Sequence, residues 1–477
     1  MGTEINDTRF SREQFQAFAD RLKTETELLK SWWREGRLSD QPPKVGMELE
    51  AWLVDEAGRP AARNGELLAR AQGCMVGPEL SQFNVEFNST PLTLGGATFT
   101  TIAAELDQHW RRVNQHAAAE GCRLGMIGIL PTVREGDLTL AHMSRLKRYH
   151  ALNEQIMLLR NRQPLQLDID GAEPLRAEHG DVMIEAAGTS LQLHLQAPPK
   201  DIPRYFNASL MASAATVAVA ANSPYLFGHR LWEETRVPVF QQSCTVSPRQ
   251  GSSAERLARV SFGSGYGRDA LYGFFVENRQ HFSVLLPELL DEPAEQLAHL
   301  RLHNGTIWRW NRPLVGFDDD GRPHLRIEHR VMAAGPTVAD IAANAAFYYG
   351  LVFGLAESEL GPDKRLPFPL AERNFYDAAR RGLQAEVTWF GGEKVPLTRL
   401  IQQELLAVAA RGLALAGVDD AEARRHLSVI EARVASGMTG AAWQSAYVQR
   451  HGRDFAGLVR AYLANQDAGA PVHEWPL

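Results

Sequence analysis

The sequence predicts a mixed fold, α+β or α/β, with a helical final third, and three observations carry that expectation. Between Val45 and about Val331, short runs of alternating apolar and polar residues interleave with longer runs at helical spacing. After Pro336 the alternation fades and helical spacing takes over. Hydrophobic residues make up 44% and charged residues 22% of the 477, the balance of a chain that buries a core rather than a disordered or fibrous one.

Taken in order, residues 11–38 place Phe15, Phe18, Leu22, Leu28, Leu29 and Trp32 at helical spacing, and Gln41-Pro42-Pro43 stops the pattern. Strands are expected in VGMELEAWLVD, SQFNVEFNSTP, GTSLQLHLQ and LRIEHRVM, with helices over 101–120, 143–159 and 205–221. The last third reads as helices over 337–355, 371–388, 397–416 and 421–436, and 362–369 is the best candidate for a break. The expected organisation is a helical segment over 1–44, a catalytic sheet-bearing unit over 45–360 and a helical region over 361–477.

Composition excludes several function classes. Fifty Lys and Arg against 57 Asp and Glu leave a net charge of −7 with no basic block, so no nucleic-acid partner is expected. Any phosphate must be neutralised locally. Cys74, Cys122 and Cys244 are far apart, which suggests neither a disulfide framework nor a thiolate zinc site, and a reducing, cytoplasmic compartment is expected. The polar start MGTEINDTRFSREQFQAF does not read as a signal peptide. The apolar run over 208–221 falls short of the roughly 20 residues that span a bilayer, so it reads as a buried helix and no membrane partner is expected.

Splitting each strand by parity shows where chemistry collects, because successive side chains point to opposite faces. In the first strand Met47, Leu49, Ala51 and Leu53 share one face, and Glu48, Glu50 and Trp52 share the other. In the second, Phe83, Val85 and Phe87 oppose Gln82, Asn84, Glu86 and Asn88, with Glu79 seven residues before Glu86. In the third, Leu191, Leu193 and Leu195 oppose Ser190, Gln192, His194 and Gln196. In the fourth, Leu325, Ile327, His329 and Val331 oppose Arg326, Glu328 and Arg330.

Any one such strand is also what a half-solvated antiparallel strand looks like. Four on one sheet would gather Glu48, Glu50, Glu79, Glu86 and Glu328 around His194, a concentration of negative charge that needs counter-cations. Mg²⁺ or Mn²⁺ suits carboxylate oxygen with an occasional imidazole, and zinc suits it less. Arg326 and Arg330 beside the acids point to a metal-chelated phosphate. The chain has no phosphate-binding P-loop and no dinucleotide signature, and the glycine-rich 261–267 reads as a loop, a lid at most. The segment LHNGTIWRWNRP sets Arg309 and Arg312 among Trp308 and Trp310, either packing the tryptophans inward or presenting a guanidinium to an anionic substrate.

The order G-x-E-x-E, then Glu79 and Glu86, then a central His, then E-x-R resembles the glutamate-cysteine ligase family and its carboxylate-amine ligase relatives in the glutamine synthetase superfamily. The resemblance runs over about 45–385 and includes Arg148-Tyr149, TIWRWNRP, PTVAD and AARRGLQA. It implies an α+β fold: a curved, mainly antiparallel sheet whose concave face holds ATP and two or three Mg²⁺, with helices outside. It implies activation of a glutamate-like γ-carboxylate as an acyl phosphate that an amine then attacks. By motif, Glu50, Glu79 and Glu86 would hold one metal, and Glu48, His194 and Glu328 another. Arg330 would meet the transferring phosphate, with Arg326 also on the nucleotide. Arg312 would bind the donor's α-carboxylate, and Arg309, Tyr149 and Gln192 are further substrate-pocket candidates. Gln192 stands where the family often has a second histidine, which leaves the acceptor open, and the oligomeric state is open too. The competing readings are a metal-dependent amide hydrolase and a catalytically inactive nucleotide- or metal-binding relative.

Overall fold

The computed structural model describes residues 4–246, 258–268 and 270–477, so the first three residues of the polar start lie outside the described residues. Its centre is an eight-stranded, curved antiparallel sheet. We number the strands β1 (Lys44–Asp55), β2 (Val76–Pro78), β3 (Asn84–Asn88), β4 (Leu92–Thr93), β5 (Cys122–Gly125), β6 (Ser190–Gln196), β7 (Asn311–Phe317) and β8 (Pro323–Ala333). The order is β7-β8-β6-β1-β3-β2, with β4 and β5 also pairing with β1. The fold is therefore α+β.

Strand parity survives folding because the registers keep like faces together. Glu50 lies opposite Glu86, Glu48 opposite Gln192, Glu328 opposite His194, and Arg312 opposite Glu328. On the other face Met47, Leu49, Ala51, Leu191, Leu193, Leu195, Leu325 and Ile327 are buried. The helices Ile202–Val219 and Val338–Ala356 back the sheet, and Tyr349 donates from its hydroxyl to the carbonyls of His194 (2.8 Å) and Gly46 (3.2 Å). His329 belongs to this apolar side. Its ring is fully buried, bonds Thr216 Oγ1 and Asn311 Oδ1, and stacks on Tyr348 at 4.0 Å, and burial pushes its pKa down to about 3.

The helix Val338–Ala356 is long and apolar enough to cross a membrane, yet 83% of that stretch is buried inside the fold, as a core helix would be. The helix Leu406–Leu415 lies against it at a glycine-lined crossing: a Cβ on Gly412 would sit 1.9 Å from the Gly350 carbonyl oxygen. A buried ion pair, Arg433 to Asp340 at 2.6 Å, fastens the next helix, Asp420–Ser436, to the same element. One continuous hydrophobic core runs from Ile5 to Trp475, so both the 1–44 segment and the 361–477 region share it.

Three sequence expectations change. The strand expected in SQFNVEFNSTP is ordered as β3 only over Asn84–Asn88, because the Gln82 N–H and carbonyl bond His142 and Asn64 outside the sheet. Phe83 thereby leaves the parity pattern and stacks on Trp52 at 5.2 Å, on the side assigned to polar groups. The helix expected over 371–388 is Phe368–Arg381, ended by Gly382 at φ 56°, and Glu386–Thr388 then forms a ribbon with Lys394–Pro396. Two further helices, Gly440–His451 and Phe455–Ala468, are capped by the Thr439 and Asp454 side chains.

The glycine crossing generates a stability prediction. Gly412→Val forces the two helices apart and is expected to cost roughly 3 kcal/mol. A thermal midpoint equal to that of the parent, measured by calorimetry, would count against the crossing as drawn.

Candidate active site

The concave face forms the floor of a cavity of about 280 Å³. Two groups of side chains that could hold a metal ion gather at it, Glu50 with Glu79 and Glu86, and Glu48 with His194 and Glu328; within each, one ligand atom per residue lies within 4.8 Å of the others. Strand pairing explains most of this. Glu50 and Glu86 are cross-strand partners on β1 and β3, as are His194 and Glu328 on β6 and β8. Glu79 comes from the loop after β2, where its Oε2 accepts from the Leu80 N–H at 2.8 Å.

The acids are held by donors of known identity. Glu50 accepts from the Ser190 N–H (2.7 Å), the Ser190 hydroxyl (2.8 Å) and Gln192 Nε2 (2.9 Å). Glu328 takes a two-pronged bond from Arg312, both arms 2.9 Å, and a third from Arg330 Nη1 at 2.9 Å. Arg330 also donates to Gln192 Oε1 at 2.5 Å. Arg326 donates to His194 Nδ1 at 3.3 Å, while His194 Nε2 sits 3.4 Å from Glu48 and is buried without a hydrogen-bond partner. Oxygen-rich sets with one imidazole suit a hard divalent ion, and the orphaned imidazole nitrogen fits a ligand role.

The sequence profile of glutamate-cysteine ligase family 2 matches residues 44–461. The chain belongs to that family. As a member it is an ATP-dependent carboxylate-amine ligase, an enzyme that forms C–N bonds. No curated protein matches it. A glutamate–cysteine ligase of Francisella tularensis, solved in complex with AMP, is similar with a TM-score of 0.53 at 11% identity, covering 92% of this chain and 91% of that one. A bifunctional glutathione synthetase from Pasteurella multocida is similar with a TM-score of 0.54 at 10% identity, covering 95% of this chain and 55% of that one. At such identities the likeness speaks for the fold.

Within this family 2 ligase the two acid groups differ electrically. Burial opposes charge on Glu328, but Arg312, Arg330 and His194 hold its carboxyl well below the usual range. Glu48, also buried, is held at about 2 by His194. The other group lacks such relief. Burial and the Glu79 charge push Glu50 up to about 7 against Arg330 and the Ser190 bonds, and burial with Glu48 and Glu79 lifts Glu86 well above the carboxylate range.

Most residues expected from the sequence line the cavity, including Tyr149, Gln192, Arg312, Arg326 and Arg330. Tyr149 accepts from Arg148 at 2.7 Å, and burial raises its phenol well above the usual range. His194 is not itself on the lining, though it stays beside Glu48 and Glu328, and Arg309 is the other exception. It turns away from the cavity into an ion pair with Glu277 (2.7 Å) and a bond to Asn278 (2.6 Å), because its strand Trp308–Arg309 pairs with Val260–Ser261 and leaves Trp308 on the cavity side. The glycine-rich 261–267 is pinned at Gly267, whose N–H and carbonyl bond the Asn207 amide at 2.7 Å each.

Two residues that parity could not reveal also matter. Glu185 lines the cavity from the turn Val182–Ala187, and burial with Glu79 and Glu50 pushes it up to about 8. Arg236 spans the β8 bulge between His329 and Met332, donating to the carbonyls of Arg330 (3.1 Å) and Val331 (2.7 Å) while paired with Glu234 at 3.1 Å. The bulge carries Arg330, so Arg236 supports the aim of that guanidinium.

A pH dependence follows from the raised carboxyls. Their folded values lie above the ordinary 4.5, so the fold favours their protonated form, and the stability they contribute is present below about pH 4.5 and lost as pH rises through about 7 to 8. The metal-free protein should show a fall in thermal midpoint across that window, smaller in Glu50→Gln. Added Mg²⁺ should raise the midpoint more at pH 8 than at pH 5. Equal Mg²⁺ shifts at both pH values would contradict the ligand assignment.

Proposed function

We propose that this ligase phosphorylates a glutamate-like γ-carboxylate with ATP and joins the acyl phosphate to an amine, using divalent ions held by the two acid groups. The carrying observation is that both groups and two arginines, the buried Arg312 and the partly buried Arg330, meet at one cavity. Mg²⁺ or Mn²⁺ would be held by Glu50, Glu79 and Glu86 and by Glu48, His194 and Glu328, and would supply positive charge against phosphoryl oxygens. That arrangement turns a surface repulsive to anions into one that accepts a triphosphate.

Amide formation from a carboxylate and an amine is uphill in water, so the acid must first become an anhydride. A donor carboxylate oxygen bonds to the γ-phosphorus as the bond to ADP breaks. The amine nitrogen then bonds to the acyl carbon, the C–O bond breaks, inorganic phosphate leaves and the nitrogen gives up its protons to solvent. Arg330, fixed by Glu328 and Gln192, presents a planar cation to the transferring phosphoryl group. Arg326 lies on the same face for the nucleotide. Arg312 retains one buried nitrogen, Nη1, with no protein partner, which favours its role at the donor's α-carboxylate. Tyr149 and Gln192 contribute to the substrate walls, whereas Arg309 takes no part.

Every assigned residue falls within 45–360, so that unit is the proposed catalytic domain, with 1–44 and 361–477 as its supports. The three cysteines are free, which accords with a reducing, ATP-supplied cytoplasm. Hydrolysis by the same carboxylates would need no ATP, and the arginines at the acid groups favour the ligase.

With ATP, Mg²⁺, glutamate and a panel of amines, ADP and phosphate should appear only when donor and amine are both present. Glu50→Gln and Glu328→Gln should each lower turnover by about a thousandfold, the scale of losing a charge-stabilising group. Arg330→Lys keeps the charge but loses the planar fork and should slow turnover by about ten- to a hundredfold. Product formation without ATP would overturn the ligase reading, and a Glu50→Gln rate equal to the parent's would overturn the metal assignment.

A further inference from the structure

Among the carboxylates lining the cavity, Glu185 differs in what holds it. Glu48, Glu50, Glu79, Glu86 and Glu328 each face at least one donor or cation of the protein. No described residue donates a hydrogen bond or forms an ion pair to the Glu185 carboxylate, and it belongs to neither acid group. It also stands on a different wall. Its turn, Val182–Ala187, is anchored by the Val182 N–H on Asn153 Oδ1 (3.1 Å) and the Met183 N–H on Asp181 Oδ1 (2.9 Å), and it packs on the helix Arg236–Ser243 rather than on the sheet. A partly enclosed carboxylate on the cavity wall with no hydrogen-bond donor directed at it is left to take up a proton or a cation with its own donors.

From this geometry we propose that Glu185 receives the protonated amino group of the acceptor amine, a substrate-recognition role that rests on the ligase reading above. An ammonium brings three N–H donors, which no described side chain directs at Glu185, and a positive charge that adds to those of Arg330 and Arg236, neither of which is within ion-pair distance. Leu152, Val182 and Cys244 line the same cavity, so a small apolar substituent beside the amine suits this end of it. The donor's α-carboxylate is assigned to Arg312 on β7, in the sheet floor, so the two substrates are held by different elements of the cavity.

The test compares amines of different charge in the full-length protein with ATP, Mg²⁺ and glutamate. L-cysteine, 2-aminobutyrate and ethylamine carry an ammonium near neutral pH, whereas hydroxylamine is uncharged there. For whichever ammonium substrates the parent uses, Glu185→Gln should raise KM by about tenfold or more, the scale of one charge-assisted hydrogen bond, while the KM for hydroxylamine stays within about twofold. Glu185→Asp should recover part of the loss. The Mg²⁺ concentration giving half the maximal rate should not change. An equal rise for charged and uncharged amines, no rise for either, or a shifted Mg²⁺ requirement overturns the assignment to amine recognition. If the parent protein turns over with no amine at all, the ligase reading itself fails and takes this assignment with it.

Discussion

Repulsion among Glu48, Glu50, Glu86 and Glu328 on one sheet face and Glu79 on the loop beside it is the constraint around which this protein is arranged. Like charges in a partly enclosed cavity either bind protons or find cations. Both answers occur here. Around Glu328 the protein supplies its own cations, and that carboxyl stays ionised. Around Glu50 and Glu86 it supplies too few, and those acids lean toward their protonated forms. The under-compensated group is where an external divalent ion gains most by binding.

The rest of the fold keeps these charges from moving apart. The sheet alone would leave its acids on a flexible wet face; backed by the apolar helices Ile202–Val219 and Val338–Ala356, it becomes a rigid floor. The C-terminal helices connect to the sheet through that backing, by the Gly350–Gly412 crossing and the Arg433–Asp340 pair, and through β5, where Gln466 donates to the Leu124 carbonyl. At the opposite end, Glu25 of the first helix accepts from the Leu300 N–H at 2.7 Å and bonds His299, steadying the segment that carries Arg301 and Leu302 on the cavity wall. Parts remote from the chemistry therefore act by fixing distances.

A second consequence concerns how arginine is used. Arg312 and Arg330 neutralise Glu328 and are exposed to the cavity's contents as well, so the same groups serve folding and substrate handling. Their geometry depends on neighbours the substrate never meets. Arg236, beneath the β8 bulge, spends its donors on two main-chain carbonyls and its charge on Glu234. Arg309, next to the cavity-lining Trp308 on the chain but pointed elsewhere, neutralises Glu277 instead.

The sequence by itself determined which side chains share a face, since a strand's period of two puts Glu48 with Glu50, Gln192 with His194 and Arg326 with Glu328 wherever those strands lie. Charge density on those faces then made a cation-dependent site legible. Only the tertiary structure decided which strands are neighbours, and so that Glu50 meets Glu86 while His194 meets Glu328. It alone set Glu79 on a loop and Glu185 on a turn, turned Arg309 away from the cavity, and began β3 only after Phe83. Periodicity is a local property of the backbone, whereas register, turns and bulges are set by packing between segments distant in the chain.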